Sequence, residues 1–408
     1  MAERASATRP DPTPTVVLYR SPLLARTETF ILQQARALTR WRPLLAGERM
    51  VADGLPLDGV ETLLLAGGAN RLGAAFQRLC RLLWLPHPAS VHRLRRTGAR
   101  LVHAQFGIDA VDLWPQVRAL GLPMLVSLYG YDIAIHRDWW EAGHGGLGRR
   151  RYPRRLLRLA RNPRVHFIAV SAALRERAIE YGIPADKVSV NYIGVDLDAF
   201  RPGPVPLAQR ARRVLFVGRL VEKKGAEYLI RAFARVRDAV PDAQLVIVGD
   251  GPLRPSLEAL ARSLGVIAEF VGSISSDASR EQMHHARVLC VPSVTAANGD
   301  TEGLPMVVLE ALACGLPVAT SAKGAVGEAV LHMQTGIEFP ERSDAIAAHL
   351  VRLLQDDALA EALSLAGRAR MVERFSLVKC IEATQDLYDR VASSTSIHQP
   401  HRATPDAS

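Results

Sequence analysis

Short apolar runs alternate with helix-length segments along nearly the whole chain, and this alternation fixes the class of fold. The runs fall at 16–19, 101–104, 124–128, 166–170 and 188–192 in the first half, and at 213–217, 244–248, 269–271, 288–291 and 317–319 in the second. Between them lie segments of helical length such as 28–40, 172–181, 226–239, 255–264 and 306–314. Strand then helix, repeated, predicts parallel sheets covered by helices on both faces. At 408 residues the chain is too long for one ordinary domain and fits two. The Pro- and Gly-rich stretch Phe200-Arg-Pro-Gly-Pro-Val-Pro206 reads as the link between them. The expected organisation is therefore α/β, with domains at 15–205 and 206–376. A helix at 377–392 is expected to pack back on the first domain, and the polar segments 1–14 and 393–408 are expected to be unstructured.

Composition excludes several classes. No apolar run approaches the roughly 18 residues needed to span a bilayer, and the N-terminal segment lacks the apolar stretch of a signal peptide. Cys80, Cys290, Cys314 and Cys380 are isolated and show no metal-binding spacing, which suits reduced thiols in a cytosol. The net charge of +10 is unevenly spread. Arg149, Arg150, Arg151, Arg154, Arg155, Arg158, Arg161 and Arg164 crowd together with no acid among them, and Arg78, Arg81, Arg93, Arg95 and Arg96 accompany Leu79, Leu82, Leu83, Trp84 and Leu85. No nucleic-acid recognition signature accompanies this charge, so no nucleic-acid partner is expected. An anionic membrane face fits better, with Trp84, Trp139 and Trp140 as candidate interfacial anchors; the plainer alternative is a solvated Arg-rich helix face.

Chemistry concentrates in the second half. In Glu302-Gly-Leu-Pro-Met-Val-Val-Leu-Glu310, a Gly-x-Pro turn opens a helix with one acid before it and another one to two turns in. Pro305 suits the first helical position, and free N–H groups there attract an anion. Phosphate between two hydroxyl-binding carboxylates describes a nucleotide sugar. After the run 213–217 comes Gly218-Arg-Leu-Val-Glu-Lys-Lys-Gly225, where Arg219 offers a forked donor pair and Lys224 a compact cation, a spacing that suits a diphosphate clamp. Gly249 and Gly251, in Val246-Ile-Val-Gly-Asp-Gly-Pro-Leu-Arg254, fail a dinucleotide fingerprint because Arg254 holds its third glycine position; with Gly272 they are candidate pocket-lining turns. Asp196-x-Asp198 reads as a turn, not a metal site. In the first half His103 and Asp132 lie at predicted strand ends, where acid–base or substrate contact is possible.

Together, GRLVEKKG, VGDGPLR, VPSVTAANGDTEGLPMVVLEALACGLPVATS and VSAALRERAIEYGIPADKVSVNYIGVDLDAF resemble the family-4 retaining glycosyltransferases, over about 16–375. The segments RTETFI and HAQFG…LYGYDI are similar to the branch that builds colanic-acid-type exopolysaccharide or lipopolysaccharide. The resemblance implies the GT-B fold, two Rossmann-like domains facing a cleft. It implies that Arg219 and Lys224 hold the donor diphosphate, that Glu310 binds the ribose and Glu302 the donor sugar, and that Gly303, Leu304 and Pro305 bring backbone to the ligand. It implies no required divalent metal or other cofactor, with a nucleoside-diphosphate sugar as donor. The expected acceptor is a saccharide, lipid-linked, at the inner face of the cytoplasmic membrane.

This sequence departs from the branch pattern in three places. Gln105 replaces the second His of His-Ala-His-Phe-Gly, Tyr129 replaces the His of Thr-Phe-His-Gly-Tyr-Asp, and 21–28 replaces a Gly-Gly loop. A phenol with a pKa near 10 is a poor base, so Tyr129 is expected to orient substrate. Two rivals are a nucleotide-sugar epimerase of the same fold and a catalytically silent sugar-nucleotide-binding partner.

Overall fold

The computed structural model describes residues 13–52, 54–66, 71–321, 324–342 and 344–396, the side chains of 71, 72 and 394–396 excepted. Two all-parallel sheets organise it. The first comprises β1 (Thr15–Tyr19), β2 (Arg42–Gly47), β3 (Thr62–Leu64), β4 (Leu101–Ala104), β5 (Met124–Leu128), β6 (Val165–Ala169) and β7 (Val188–Val190), in the order β3-β2-β1-β4-β5-β6-β7. The second comprises β8 (Arg213–Val217), β9 (Gln244–Val248), β10 (Ala268–Gly272), β11 (Val288–Val291), β12 (Val318–Thr320) and β13 (Ile337–Glu338), in the order β10-β9-β8-β11-β12-β13. This is the GT-B architecture. Three strands escape the sequence reading: β2 carries both Pro43 and Gly47, and β3 and β13 are edge strands of three and two residues, too short for a pattern to register.

Chain order reverses between β1 and β4 in the first sheet, and between β8 and β11 in the second. Open α/β sheets bind ligands at the carboxyl ends of strands flanking such a reversal. The residues to watch are thus those following β1, β4, β5, β8 and β11.

The final helix, Leu377–Ser396, lies on the first sheet. Tyr388 and Leu387 join the core formed by Val16, Leu18, Leu101 and Ile168. The Gln385 side-chain oxygen accepts from the backbone N–H of Thr39 (2.9 Å) and Arg40 (2.6 Å), and the Trp41 indole donates to Asp389 at 2.8 Å. Helix continues through 393–396; the remainder of the expected tail and residues 1–12 lie outside the described residues. Where the chain returns to the first sheet, Val195 N donates to Phe375 O at 2.8 Å and Leu377 N to Val195 O at 2.9 Å.

Candidate functional site

On the second sheet, β8 ends at Val217 and its backbone runs on through Gly218 and Arg219, held by Gly218 N to Val248 O (3.0 Å) and Leu220 N to Asp250 O (2.9 Å). Gly249 makes this possible: its φ is +128°, and a Cβ there would overlap the Gly218 carbonyl. Gly249 N donates to Gly272 O, and Gly251 N to the Asp250 side chain. These glycines thus shape the loop that carries Arg219. The Arg219 guanidinium is exposed and lines a cleft of about 340 Å³ with Lys223, Asn298 and Asp300.

A short turn, Glu222–Lys224, then delivers two lysines toward the loop after β11. Lys223 pairs with Asp300 at 3.0 Å and Lys224 with Glu302 at 3.0 Å, and Val294 N donates to Lys223 O. Burial works against the Glu302 carboxylate, but Lys224, Lys223 and Arg219 together override it and hold its pKa below the ordinary value. The helix Met306–Ala313 follows, with Pro305 at the capping position, one residue earlier than expected. The Leu304 side chain is buried in the core. Glu310 is half-buried with neither an ion pair nor a side-chain hydrogen bond among the described residues, and burial pushes its pKa up to about 7.

Two loops of the opposite lobe meet this one. A Cβ at Gly303 would overlap the Tyr129 carbonyl oxygen, so only glycine lets the Glu302 loop close on the segment after β5. His136 N also donates to Asn298 O at 3.2 Å across the gap. The Tyr129 backbone and the Glu302 loop therefore meet where the two lobes approach.

Within the first lobe, the two departures from the branch pattern prove to be partners: the Tyr129 hydroxyl donates to the Gln105 side-chain oxygen at 2.7 Å. Tyr129 stacks obliquely on Phe30 and Phe106, each 4.9 Å away, and burial raises its pKa further from neutrality. The Gln105 amide nitrogen is buried without a partner among the described residues. Asp132 is fully buried and accepts from the N–H of Gly107 (2.7 Å) and of Tyr129 (3.0 Å). It is a brace for the helix Gly107–Leu120 and the Tyr129 turn; burial, partly offset by those bonds, pushes its pKa up to about 6.

His103 corrects the sequence reading. Side chains alternate along β4, and His103 shares the face of Leu101, under the final helix. Its two ring nitrogens contact Tyr388 Oη (2.7 Å) and Ser127 Oγ (2.8 Å), and burial lowers its pKa to about 3. It is a neutral core residue, removed from the cleft.

Three residues were missed. Arg20 directly follows β1, bonded to Glu28 (2.8 Å) and Asp109 (3.0 Å), with its guanidinium 4.5 Å from the Phe106 ring centre. Burial of Asp109 outweighs the attraction of Arg20 and pushes its pKa up to about 7. The available signal was position: Arg20 ends a strand at the reversal of chain order. Asp196 accepts from the N–H of Asp198 and Ala199, forming a turn. Among the described residues no group of three or more His, Cys, Asp or Glu is placed to hold a metal.

The arginine cluster is less free than its sequence suggests, because acids arrive from elsewhere. Arg149 pairs with Asp112 (3.1 Å) and Arg154 with Glu141 (3.5 Å). Of the tryptophans, Trp140 is 1% exposed and cannot be an interfacial anchor, Trp139 is half-buried, and the half-buried Trp84 donates its indole N–H to Val111 O at 2.7 Å.

Comparison with known proteins agrees with this geometry. Residues 203–370 match the family described as glycosyl transferases group 1, and residues 54–199 match glycosyltransferase family 4. A GDP-mannose-dependent alpha-(1-6)-phosphatidylinositol monomannoside mannosyltransferase of Mycolicibacterium smegmatis is 39% identical over 187 residues, 43% of this chain and 49% of that protein. A putative colanic acid biosynthesis glycosyltransferase of Escherichia coli is 32% identical over 184 residues, 44% of this chain and 45% of its own. The matches thus span about half the length of these curated relatives. Among solved structures, the Anabaena protein HepE in complex with UDP and glucose superposes with a TM-score of 0.75 at 18% identity, covering 92% of this chain and all of that one. Sucrose-phosphate synthase of Thermosynechococcus elongatus superposes with a TM-score of 0.73 at 20% identity, over 93% and 100% of the two chains.

Proposed function

Since this chain belongs to the family-4 glycosyltransferases of the GT-B fold, we propose that it moves a hexose, with retained anomeric configuration, from a nucleoside-diphosphate sugar to a lipid-linked saccharide in cell-surface polysaccharide synthesis. In this reading residues 206–376 form the donor lobe and 15–205 the acceptor lobe, closing about 200–206. The observation that carries it is the Lys224–Glu302 pair at 3.0 Å, with Arg219 beside it and the backbone of Tyr129 closed on the same loop at Gly303.

Arg219 and Lys224 neutralise the diphosphate as its bond to the sugar breaks, the term expected to dominate such a transfer. Glu302, kept ionised by its cations, only accepts hydrogen bonds and so suits sugar hydroxyls. Glu310 takes the ribose hydroxyls. Among the described residues no nearby side chain of the first lobe is poised as a base: His103 is in the core, Asp132 is spent on two backbone N–H groups, and the Tyr129 phenol is bound to Gln105. The acceptor proton therefore passes to the departing phosphate oxygen, on the same face as the attacking hydroxyl, which retains configuration. Positioning supplies the rest. The relatives' names make GDP-mannose and a UDP-sugar the first donors to try. Exposed Arg150, Arg151, Arg158 and Arg161 draw the acceptor lobe to the anionic inner face of the cytoplasmic membrane.

The test is turnover of these donors with polyprenyl-linked saccharides, the product anomer being read by NMR. Transfer with retention supports the proposal. Donor epimerised without acceptor, or bound without turnover across the panel, refutes it in favour of an epimerase or a silent binding partner respectively.

A further inference from the structure

The helix Arg71–Leu83 turns its apolar sector outward. Phe76, Leu79, Leu82 and Leu83 are 50%, 49%, 58% and 55% exposed, and Leu85 just beyond the helix is 49% exposed. At about 100° per residue the four helical side chains occupy roughly a third of the circumference. An amphipathic surface helix normally buries that sector, and single exposed leucines need no explanation, but five large apolar side chains within ten residues do. The helix is firmly mounted by its other side. Cys80 is buried, Gln77 donates to Glu48 at 2.5 Å, and Arg81 lies 3.6 Å from the same carboxylate. Glu48 directly follows β2, so the crest stands beside the carboxyl edge of the first sheet, the edge that also carries Arg20, Gln105 and Tyr129.

Arginines rim this crest. Arg78, exposed, shares its helix and borders the apolar sector. From the neighbouring helix Tyr152–Ala160, Arg155 donates to Leu82 O at 2.6 Å, and Arg155 and Arg158 lie 5.4 and 5.6 Å from the Trp84 ring. A second copy docked here about a two-fold axis would set arginine rim against arginine rim. A bilayer surface with anionic headgroups answers both the apolar centre and the cationic border. We propose that this crest inserts into the interfacial layer of an anionic membrane, its arginine rim pairing with lipid phosphates and holding the acceptor lobe's cleft at the surface. This deepens the membrane reading above, which needs only electrostatic attraction, and it does not depend on catalytic turnover.

The experiment is co-sedimentation of the full chain with phosphatidylcholine vesicles, with and without phosphatidylglycerol, at low and high salt. The variants are Leu79→Asp/Leu82→Asp and Arg78→Ala/Arg158→Ala, all at exposed positions, with circular dichroism confirming that each is folded. Insertion predicts binding to the anionic vesicles that weakens but persists in salt, and that falls about tenfold or more in the leucine variant. If the arginine variant alone loses binding, insertion is overturned and electrostatic attachment stands. If neither variant loses binding, or the chain does not bind, both readings fail. If the vesicle-free chain is a dimer that the leucine variant dissociates, the crest belongs to a second copy and the proposal is overturned.

Discussion

Glu310 offers the sharpest test of the donor site, because its ionisation and its proposed partner are coupled. In the free protein its pKa is about 7, raised by burial, and it has no partner among the described residues. Ribose hydroxyls donate hydrogen bonds, which favour the carboxylate, so donor binding must pull this pKa down and release a proton. If the bound value returns to the ordinary 4.5, about ten in eleven free molecules at pH 6 must lose a proton to bind, against about one in eleven at pH 8. Donor affinity should therefore rise about tenfold from pH 6 to pH 8, near 1.4 kcal/mol. The assay is titration calorimetry with a nucleoside-diphosphate sugar, which lacks the phosphate monoester that itself titrates near pH 6. Asp109 and Asp132 also titrate, at about 7 and 6. The Glu310→Gln variant separates them: its affinity should be about 10-fold or more weaker at pH 8 and flat with pH. Stability moves the opposite way. A carboxyl raised in the folded state favours folding while protonated, and that contribution is lost as pH rises from about 4.5 to about 7. Glu310→Gln should thus be more stable than wild type at pH 8, by on the order of 2 kcal/mol after discounting partial exposure, and no more stable at pH 4.5. A flat wild-type affinity, or an equal pH slope in the variant, would refute the ribose assignment.

Arg219→Ala removes an exposed side chain, so its melting temperature should stay close to wild type while transfer falls about 10²–10³-fold in steady-state assays. Lys224→Ala strips Glu302 of its nearest cation and should cost on the order of 2 kcal/mol in denaturant unfolding as well as transfer; adding Glu302→Gln should recover the stability and not the activity. Gly303→Ala places a methyl against the Tyr129 carbonyl, so lobe closure and kcat should fall while donor affinity in the second lobe stays within a few-fold, checked by comparing calorimetric Kd with kcat. Because Tyr129 and Gln105 bond to each other, Tyr129→Phe and Gln105→Leu should couple by about 0.5–3 kcal/mol in a double-mutant cycle; additive effects would show the two departures to be independent.

The second lobe was legible because its site is local in sequence. Arg219 and Lys224 sit five residues apart in one loop, and Glu302 and Glu310 flank one helix start. A strand-then-glycine rhythm placed both groups at carboxyl ends, and one assumption about parallel strands sufficed to bring Arg219 and Lys224 to Glu302; Glu310 lies in the helix that follows. What the local pattern hid was the pairing. Lys223 and Lys224 are adjacent and equivalent in sequence, yet one reaches Asp300 and the other Glu302.

The first lobe resisted for the opposite reason: its chemistry depends on which strands become neighbours and which face each side chain takes. His103 and Gln105 are two residues apart, a spacing that puts both on one face of a continuing strand. The strand ends at Ala104, however, and Gln105 reaches Tyr129 while His103 stays under a helix that begins at Leu377. No window around His103 contains Tyr388, so nothing local could show that the imidazole was already claimed. Arg20 is hidden in the same way, since Glu28 and Asp109 neutralise it from separate segments. Tyr129 and Gln105 follow adjacent parallel strands, β5 and β4, so two substitutions that look like separate losses in the sequence become one hydrogen bond in the fold. A substituted motif residue should therefore be judged with the residue that follows the neighbouring strand, because parallel register sets the two side by side.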